Sequence, residues 1–237
     1  VNNDVAGFVQ VSCINPRQMH LDYIALSKRY RGQGLGTLIL QRLLTKVAQR
    51  NYDIVLEVRI DNPAYHLYKR LGFKEQAQII HYQRSLTDLP QVVAPVLPNL
   101  RPVRSQDWLE LYQLYLRSLP AKLHRVVKRD WRDFKPNYLT TGLEWIKGRL
   151  MRTKKRHYVL TQGEAIIGSL EINSFHKTNS HSLNILLEPD DERWREPLIR
   201  HALYLLQSAL PGTVSTTIYN DDPRKQHTLE KLGFIRQ

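Results

Sequence analysis

Arg31-Gly32-Gln33-Gly34-Leu35-Gly36 stands between an apolar run ending Ile24-Ala25-Leu26 and an amphipathic run beginning Thr37-Leu38-Ile39-Leu40. Its three glycines leave no Cβ to block a close ligand, and they let successive backbone N–H groups converge on one point. The helix expected next, Leu38–Gln49, adds its positive end to those donors. The hexamer therefore reads as an anion seat at a strand-to-helix junction, although a plain turn reads equally well until its surroundings are counted. It is not a P-loop, since no Gly-Lys-Ser/Thr closes it. Nor is it a dinucleotide fingerprint, whose third glycine would fall on Ile39.

Working outward, residues 5–13 and Met19–Leu26 read as strands, Asp53–Arg59 as a strand, Pro63–Leu71 as a helix, and strands are expected within Glu75–Arg84. The alternation predicts an α/β (α+β mixed sheet) fold. The spacing Arg31-x-x-Gly34-x-Gly36, after a strand and opening a helix, resembles the acetyl-CoA pyrophosphate loop of the GCN5-related N-acetyltransferase (GNAT) family. Downstream, Asp61-Asn62-Pro63-Ala64-Tyr65-His66-Leu67-Tyr68-Lys69-Arg70-Leu71-Gly72-Phe73 resembles the family's next motif, a short helix closing on Gly-Phe.

The chain has 237 residues, 42% of them hydrophobic, enough for one large core or two small ones. The single cysteine, Cys13, can form no internal disulfide, which suits a reducing cytoplasmic interior; it is expected as a small buried filler. No apolar run approaches the roughly 20 residues of a membrane span, and no leader precedes the first strand, so no membrane partner is expected. The net charge of +13 favours anionic partners. Residues 117–156 concentrate it, with thirteen Lys/Arg against three Asp/Glu. That stretch, read as mostly helix, fits a solvated basic face as well as a dedicated patch.

Between Ser85 and Pro102 the prolines stiffen an extended path and forbid a helix. Three segments are expected: 1–88 carrying the acetyl-CoA loop, 89–99 as a Pro-rich linker, and 100–237 as a second domain. In the last, Leu100–Val103 reads as a strand, Ser105 as N-cap of a helix from Trp108 to Arg117, and His157–Leu160 and Ala165–Ser174 as a hairpin turning at Gln162-Gly163. Strand Ser182–Leu187, helix Glu196–Leu210, strand Val214–Tyr219 and helix Pro223–Leu232 follow. A shift of 161 positions lays this half on the first without a gap: Gly7 on Gly168, His20 on His181, Leu26 on Leu187, and Leu71-Gly72-Phe73 on Leu232-Gly233-Phe234. Two tandem GNAT-like domains are therefore expected, truncated at opposite ends. Either the chain is a fragment or its halves complete one another, and sheet completion between chains would make a homodimer natural.

The repeat predicts a degenerate second copy. Arg31, Gly34 and Gly36 correspond to Glu192, Arg195 and Pro197, so side chains stand where a pyrophosphate would press. Glu188, Asp190 and Asp191 add an acidic cluster that would repel phosphate, Pro197 removes a donor, and Tyr68 becomes Leu229.

The resemblance implies the chemistry of the first copy. The backbone of Ile24, Ala25 and Leu26 would hold the pantetheine arm in a gap between two strands, and Gly32, Gln33, Gly34, Leu35, Gly36 and Thr37 would seat the pyrophosphate, with Arg31, and with Lys28 or Arg29, neutralising charge. A primary amine would attack the acetyl thioester directly, with no metal. At neutral pH an alkylamine is protonated, so a base must strip it and an acid must serve the leaving thiolate. Tyr68 matches the family's tyrosine facing the sulfur. Strict alternation puts Gln18, His20, Asp22 and Ile24 on one face, with Gln18 where some members carry a glutamate. Asp22 is favoured as base; His20 and ordered water stay open, and His181 in the second copy argues for a structural His20. Asp61 holds the register where members commonly carry an asparagine, so Asn62 either reaches the pantetheine or caps the helix.

The expected function is an acetyl-CoA-dependent N-acetyltransferase, an acyltransferase active only through its first domain on a small-molecule amine or a peptide N-terminus, with nucleic acid not expected as a partner. The alternative is a non-catalytic acetyl-CoA sensor or interaction module, whose basic second half contacts an acidic partner or nucleic acid.

Overall fold

The computed structural model describes residues 5–15, 17–87, 93–124, 129, 131–135, 153–207 and 212–237. It divides into two compact units, Val1–Glu75 and Gln76–Gln237.

The first unit holds strands β1 (Gly7–Asn15), β2 (Gln18–Leu26) and β3 (Asp53–Val55), in the order β1-β2-β3, with helices α1 (Leu35–Gln49) and α2 (Ala64–Arg70). Strands β1 and β2 are antiparallel, and β2 and β3 parallel. Leu40 and Val47 on one stripe of α1 are buried, and Leu40 joins Leu21 and Tyr68 in a core that Ile54, Leu56 and Val58 pack against. The strand expected over Asp53–Arg59 is thus a true ladder only to Val55. Beyond it the chain keeps the period-two packing of an extended segment without pairing to β2. Cys13 is exposed rather than buried, since it sits in an exposed end of β1.

The second unit is a seven-stranded sheet in the order β10-β4-β9-β8-β7-β6-β5, built from β4 (Ile79–Ser85), β5 (Leu100–Pro102), β6 (Thr153–Gln162), β7 (Ala165–Phe175), β8 (Ser180–Leu187), β9 (Thr213–Tyr219) and β10 (Ile235–Arg236). Helix α3 (Trp108–Ser118) packs Leu111 and Leu114 against Val159 and Ile166. A separate, larger core joins Leu170 and Ile172 of β7 to α4 (Arg195–Leu206) and α5 (Pro223–Lys231), through Leu198, Ile199, Ala202, Leu203, Leu206 and Leu229. The expected N-cap Ser105 is instead the first residue of a 3-10 turn. The entry to α3 is held by Asp107, whose carboxylate accepts from the Arg104 N–H at 2.7 Å and pairs with Arg101. Of the basic stretch 117–156, most of the expected helix lies outside the described residues; the described part includes 3-10 turns Ala121–Leu123 and Trp131–Asp133 and the start of β6.

Strand β4, expected with the first copy, belongs to the second unit's sheet. It pairs antiparallel with β9 from Ile79↔Tyr219 to Ser85↔Thr213, and β10 lies on its other edge. Alternation sends Ile80 and Tyr82 into the larger core, and the Tyr82 hydroxyl donates to Glu230 at 3.0 Å. A strand that follows the first copy thereby completes the second copy's sheet, which is why the contact boundary precedes the prolines. Tyr82 is 1% exposed, so Tyr82→Ala should cost about 3–5 kcal/mol. Urea unfolding of the full chain measures this; a loss below about 1 kcal/mol would show that β4 does not support that core.

The repeat is visible in the ladders. Gly7↔Leu26, Phe8↔Ala25, Val9↔Ile24 and Gln10↔Tyr23 in β1/β2 match Gly168↔Leu187, Ser169↔Leu186, Leu170↔Ile185 and Glu171↔Asn184 in β7/β8. The α2 and α5 ends also match. Gly72 and Gly233 both have positive φ, which a side chain rarely adopts, and the following Phe73 and Phe234 N–H groups donate to Tyr68 and Leu229 carbonyls.

Candidate active site

The two hairpins part company one step after Gln10. In the second unit the ladder runs on regularly, Ile172↔Leu183 and Asn173↔Ser182. In the first it jumps from Gln10↔Tyr23 to Val11↔Leu21, leaving Asp22 as an extra, unpaired residue. This is a β-bulge, which bends a strand and re-aims its side chains. It corrects the strict alternation expected for β2: Ile24 now joins Leu21 in the core, while Asp22 stays with His20. Gln18, expected on the same face, is buried.

The bulge coincides with a gap. Strands β2 and β3 pair only over Gln18↔Asp53, Met19↔Ile54 and His20↔Val55. From Leu21 to Leu26, β2 is laddered to β1 alone, so among the described residues the edge of Ile24, Ala25 and Leu26 that faces away from β1 has no ladder partner. A strand edge left open beside a core is a place for an extended ligand to add main-chain hydrogen bonds.

Just past that edge lies the glycine loop. Gly32 and Gly34 both have φ +75°, and a Cβ at either would meet nothing within 4 Å. Helix α1 starts at Leu35, three residues earlier than expected, with Leu38 N–H the donor to Gly34 O at 3.0 Å and no side chain capping the end. The N–H groups of Leu35, Gly36 and Thr37 are first-turn donors with no carbonyl four residues back in the helix, aligned with its dipole. Arg31 Nε donates to Leu26 O at 3.1 Å and Gln33 Nε2 to Arg29 O at 2.8 Å, which ties the loop to the end of β2 and to the turn before it. Lys28 and Arg29 lie in an exposed 3-10 turn.

Tyr68 reaches the same core from α2. It is 8% exposed and packs edge-on to Phe73 at 5.6 Å. Burial pushes its phenol above the ordinary tyrosine range, so at neutral pH it is a proton donor. Asn62 Oδ1 accepts from Ala64 N–H at 2.9 Å, so its carbonyl caps α2. Asp61 is paired with Arg59 on the surface.

On β2, His20 Nδ1 lies 2.8 Å from Asp22 Oδ1, and Ser12 Oγ donates to the same oxygen at 2.9 Å. The His20 bond, helped by Ser12, holds the Asp22 carboxyl below the ordinary carboxylate range against the opposing effect of burial. Ser12 escaped the sequence reading because its partner is known only once the hairpin register places it opposite His20.

At the equivalent of the glycine loop the second unit is filled. Glu192 and Arg195 form a bidentate pair at 2.6 and 2.8 Å, with side chains 9% and 8% exposed. In the acidic cluster beside it, Glu188 pairs with Arg117 and Asp191 with Arg193. Pro197, at the position of Gly36, offers no backbone N–H. Glu192→Ala strands a buried guanidinium and should cost about 3–5 kcal/mol, while replacing both partners with apolar residues of similar volume should recover most of that. Thermal unfolding of the single and double variants tests this; equal losses would refute it.

Residues 1–73 match the model of the acetyltransferase (GNAT) family. An N-alpha-acetyltransferase of Sulfurisphaera tokodaii is 39% identical over 80 residues, which is 32% of this chain and 48% of that enzyme. The chain spans about half the length of the curated relatives it matches. Among solved structures, a GCN5-related N-acetyltransferase from Sphaerobacter thermophilus superposes with a TM-score of 0.62 at 16% identity, covering 98% of this chain and 74% of that one. A tandem GNAT protein from the clavulanic acid biosynthesis pathway superposes at 0.61 and 13% identity, covering 99% and 77%. These likenesses identify the fold as two GNAT-like domains in tandem. The glycine loop, the parted strands and the family match thus fall on one stretch, residues 1–73, which is similar to the acetyltransferase (GNAT) family.

Proposed function

We propose that the chain is an acetyl-CoA-dependent N-acetyltransferase acting through its first domain on a primary amine. The observation that carries this reading is the contrast within one chain: an open glycine loop beside an unladdered strand edge in one copy, and a buried ion pair in the same place in the other. The first-turn N–H groups of α1 seat the pyrophosphate, the Ile24–Leu26 edge takes the pantetheine, and Asn62 serves as a cap. The free amine attacks the thioester carbon, the C–S bond breaks, and the thiolate takes a proton from Tyr68, which recovers one from the amine nitrogen. The second copy, with its seat filled and Leu229 in place of Tyr68, carries no catalysis.

Two relatives are named as N-alpha-acetyltransferases of archaea, and one as a ribosomal protein alanine N-acetyltransferase. Their names favour a peptide amino terminus as acceptor. The test is coenzyme A release with a panel of peptides and small amines, together with calorimetry of acetyl-CoA. One coenzyme site per chain and turnover of a peptide amine are expected. Two sites would end the single-domain reading, and binding without turnover of any amine would make the chain a sensor.

A further inference from the structure

We infer that His20 is the general base of the first domain and that Asp22 and Ser12 are positioning residues that fix its working tautomer, an inference that rests on the acetyltransferase reading. An ionised carboxylate can only accept hydrogen bonds. With Asp22 Oδ1 at 2.8 Å, the His20 Nδ1 must therefore carry the hydrogen, which leaves the lone pair of the neutral ring on Nε2. Ser12 donates to that same oxygen and holds the carboxylate in place from the neighbouring strand. The two hydrogen bonds that make Asp22 a good anchor make it a poor base, which turns the balance from Asp22 to His20.

Position agrees. The backbone of His20 forms the last β2–β3 rung, at the vertex where the strands part, and the bulge next to it is what brings Asp22 round to the ring. His20 is also partly exposed, with 31% of its side chain open.

The retained histidine of the second copy answers the objection that His20 is merely structural. His181 has lost both partners: Leu183 stands at the Asp22 position and Asn173 at that of Ser12. Its ladder has no bulge, and its Nδ1 lies 2.9 Å from Ser174 Oγ in a buried site. The imidazole survives there without a carboxylate.

In the proposed step the acceptor ammonium gives one proton to His20 Nε2, directly or through one water, and its freed lone pair forms the C–N bond. After the C–S bond breaks and Tyr68 has exchanged one proton for another, His20 releases its proton to solvent, so each turnover yields amide, thiol and one proton.

The test is steady-state kinetics on the full chain with a short peptide bearing a free amino terminus, beside 15N NMR of the imidazoles. His20→Gln should lower kcat about 10²-fold, and Asp22→Asn about tenfold, both with unchanged acetyl-CoA affinity. Ser12→Ala should lower kcat a few-fold, and Ser12→Thr should restore it. The parent spectrum should show His20 protonated at Nδ1, with the other tautomer appearing in Asp22→Asn. An active parent with full kcat in His20→Gln, or the same tautomer in both spectra, overturns the inference alone. A parent that binds acetyl-CoA and acetylates nothing overturns the enzyme reading and this inference with it.

Discussion

Gly34→Glu should abolish acetyl-CoA binding, weakening it by about three orders of magnitude. Gly34 holds φ +75° at the mouth of an uncapped helix, where an added Cβ would meet no protein atom within 4 Å. An added Cβ there clashes with nothing of its own chain, so the effect is expected on backbone strain and on the ligand. A carboxylate placed about 4 Å from a phosphate at an effective dielectric near 20 costs about 4 kcal/mol, roughly a thousandfold in affinity. Gly34→Ala separates the causes, because it carries only the strain of an L residue in the left-handed region, about 1–2 kcal/mol. Gly34→Asn, which tolerates that region, should bind nearly as the parent does. Calorimetry with acetyl-CoA reads all three. Equal affinities for Gly34→Glu and Gly34→Ala would mean that the phosphates lie elsewhere.

Tyr68→Phe should lower kcat by about 10²-fold, the lower end for losing a positioned proton donor, with acetyl-CoA affinity unchanged. Phenylalanine keeps the buried volume and the edge-on contact with Phe73, so only the hydroxyl is removed. The raised pKa from burial keeps that hydroxyl protonated at neutral pH, which is the state an acid needs. A parallel fall in coenzyme affinity would place Tyr68 in binding rather than proton transfer, and an unchanged kcat would remove it from the mechanism. Burst kinetics can show whether product release masks the chemical step.

Much of this site is local and so was open to reading from residue order. The Gly34 turn, the start of a helix after it and the Leu71-Gly72-Phe73 ending depend on backbone preferences within a few residues, and they fall where expected to within three residues. The replacement of Arg31, Gly34 and Gly36 by Glu192, Arg195 and Pro197 in the second copy was equally legible. The sign of its electrostatics was not. Whether Glu188, Glu192 and Asp191 repel an anion depends on arginines that approach from positions 117, 195 and 193, and two of those partners are found only when side chains are placed.

By itself, residue order determined the α/β class, the internal repeat, the glycine turn ahead of α1 and its replacement in the second copy, because each rests on periodicity or on the steric demands of single residues. Only the tertiary structure decided the rest. One extra residue at Asp22 flips the facing of everything after it, since side-chain direction in a strand has a period of two and a single insertion inverts it. The place of β4 in the second sheet, and the meeting of Ser12, His20 and Asp22, follow from which strands pair and in what register, and pairing across tens of residues leaves no mark in either strand alone.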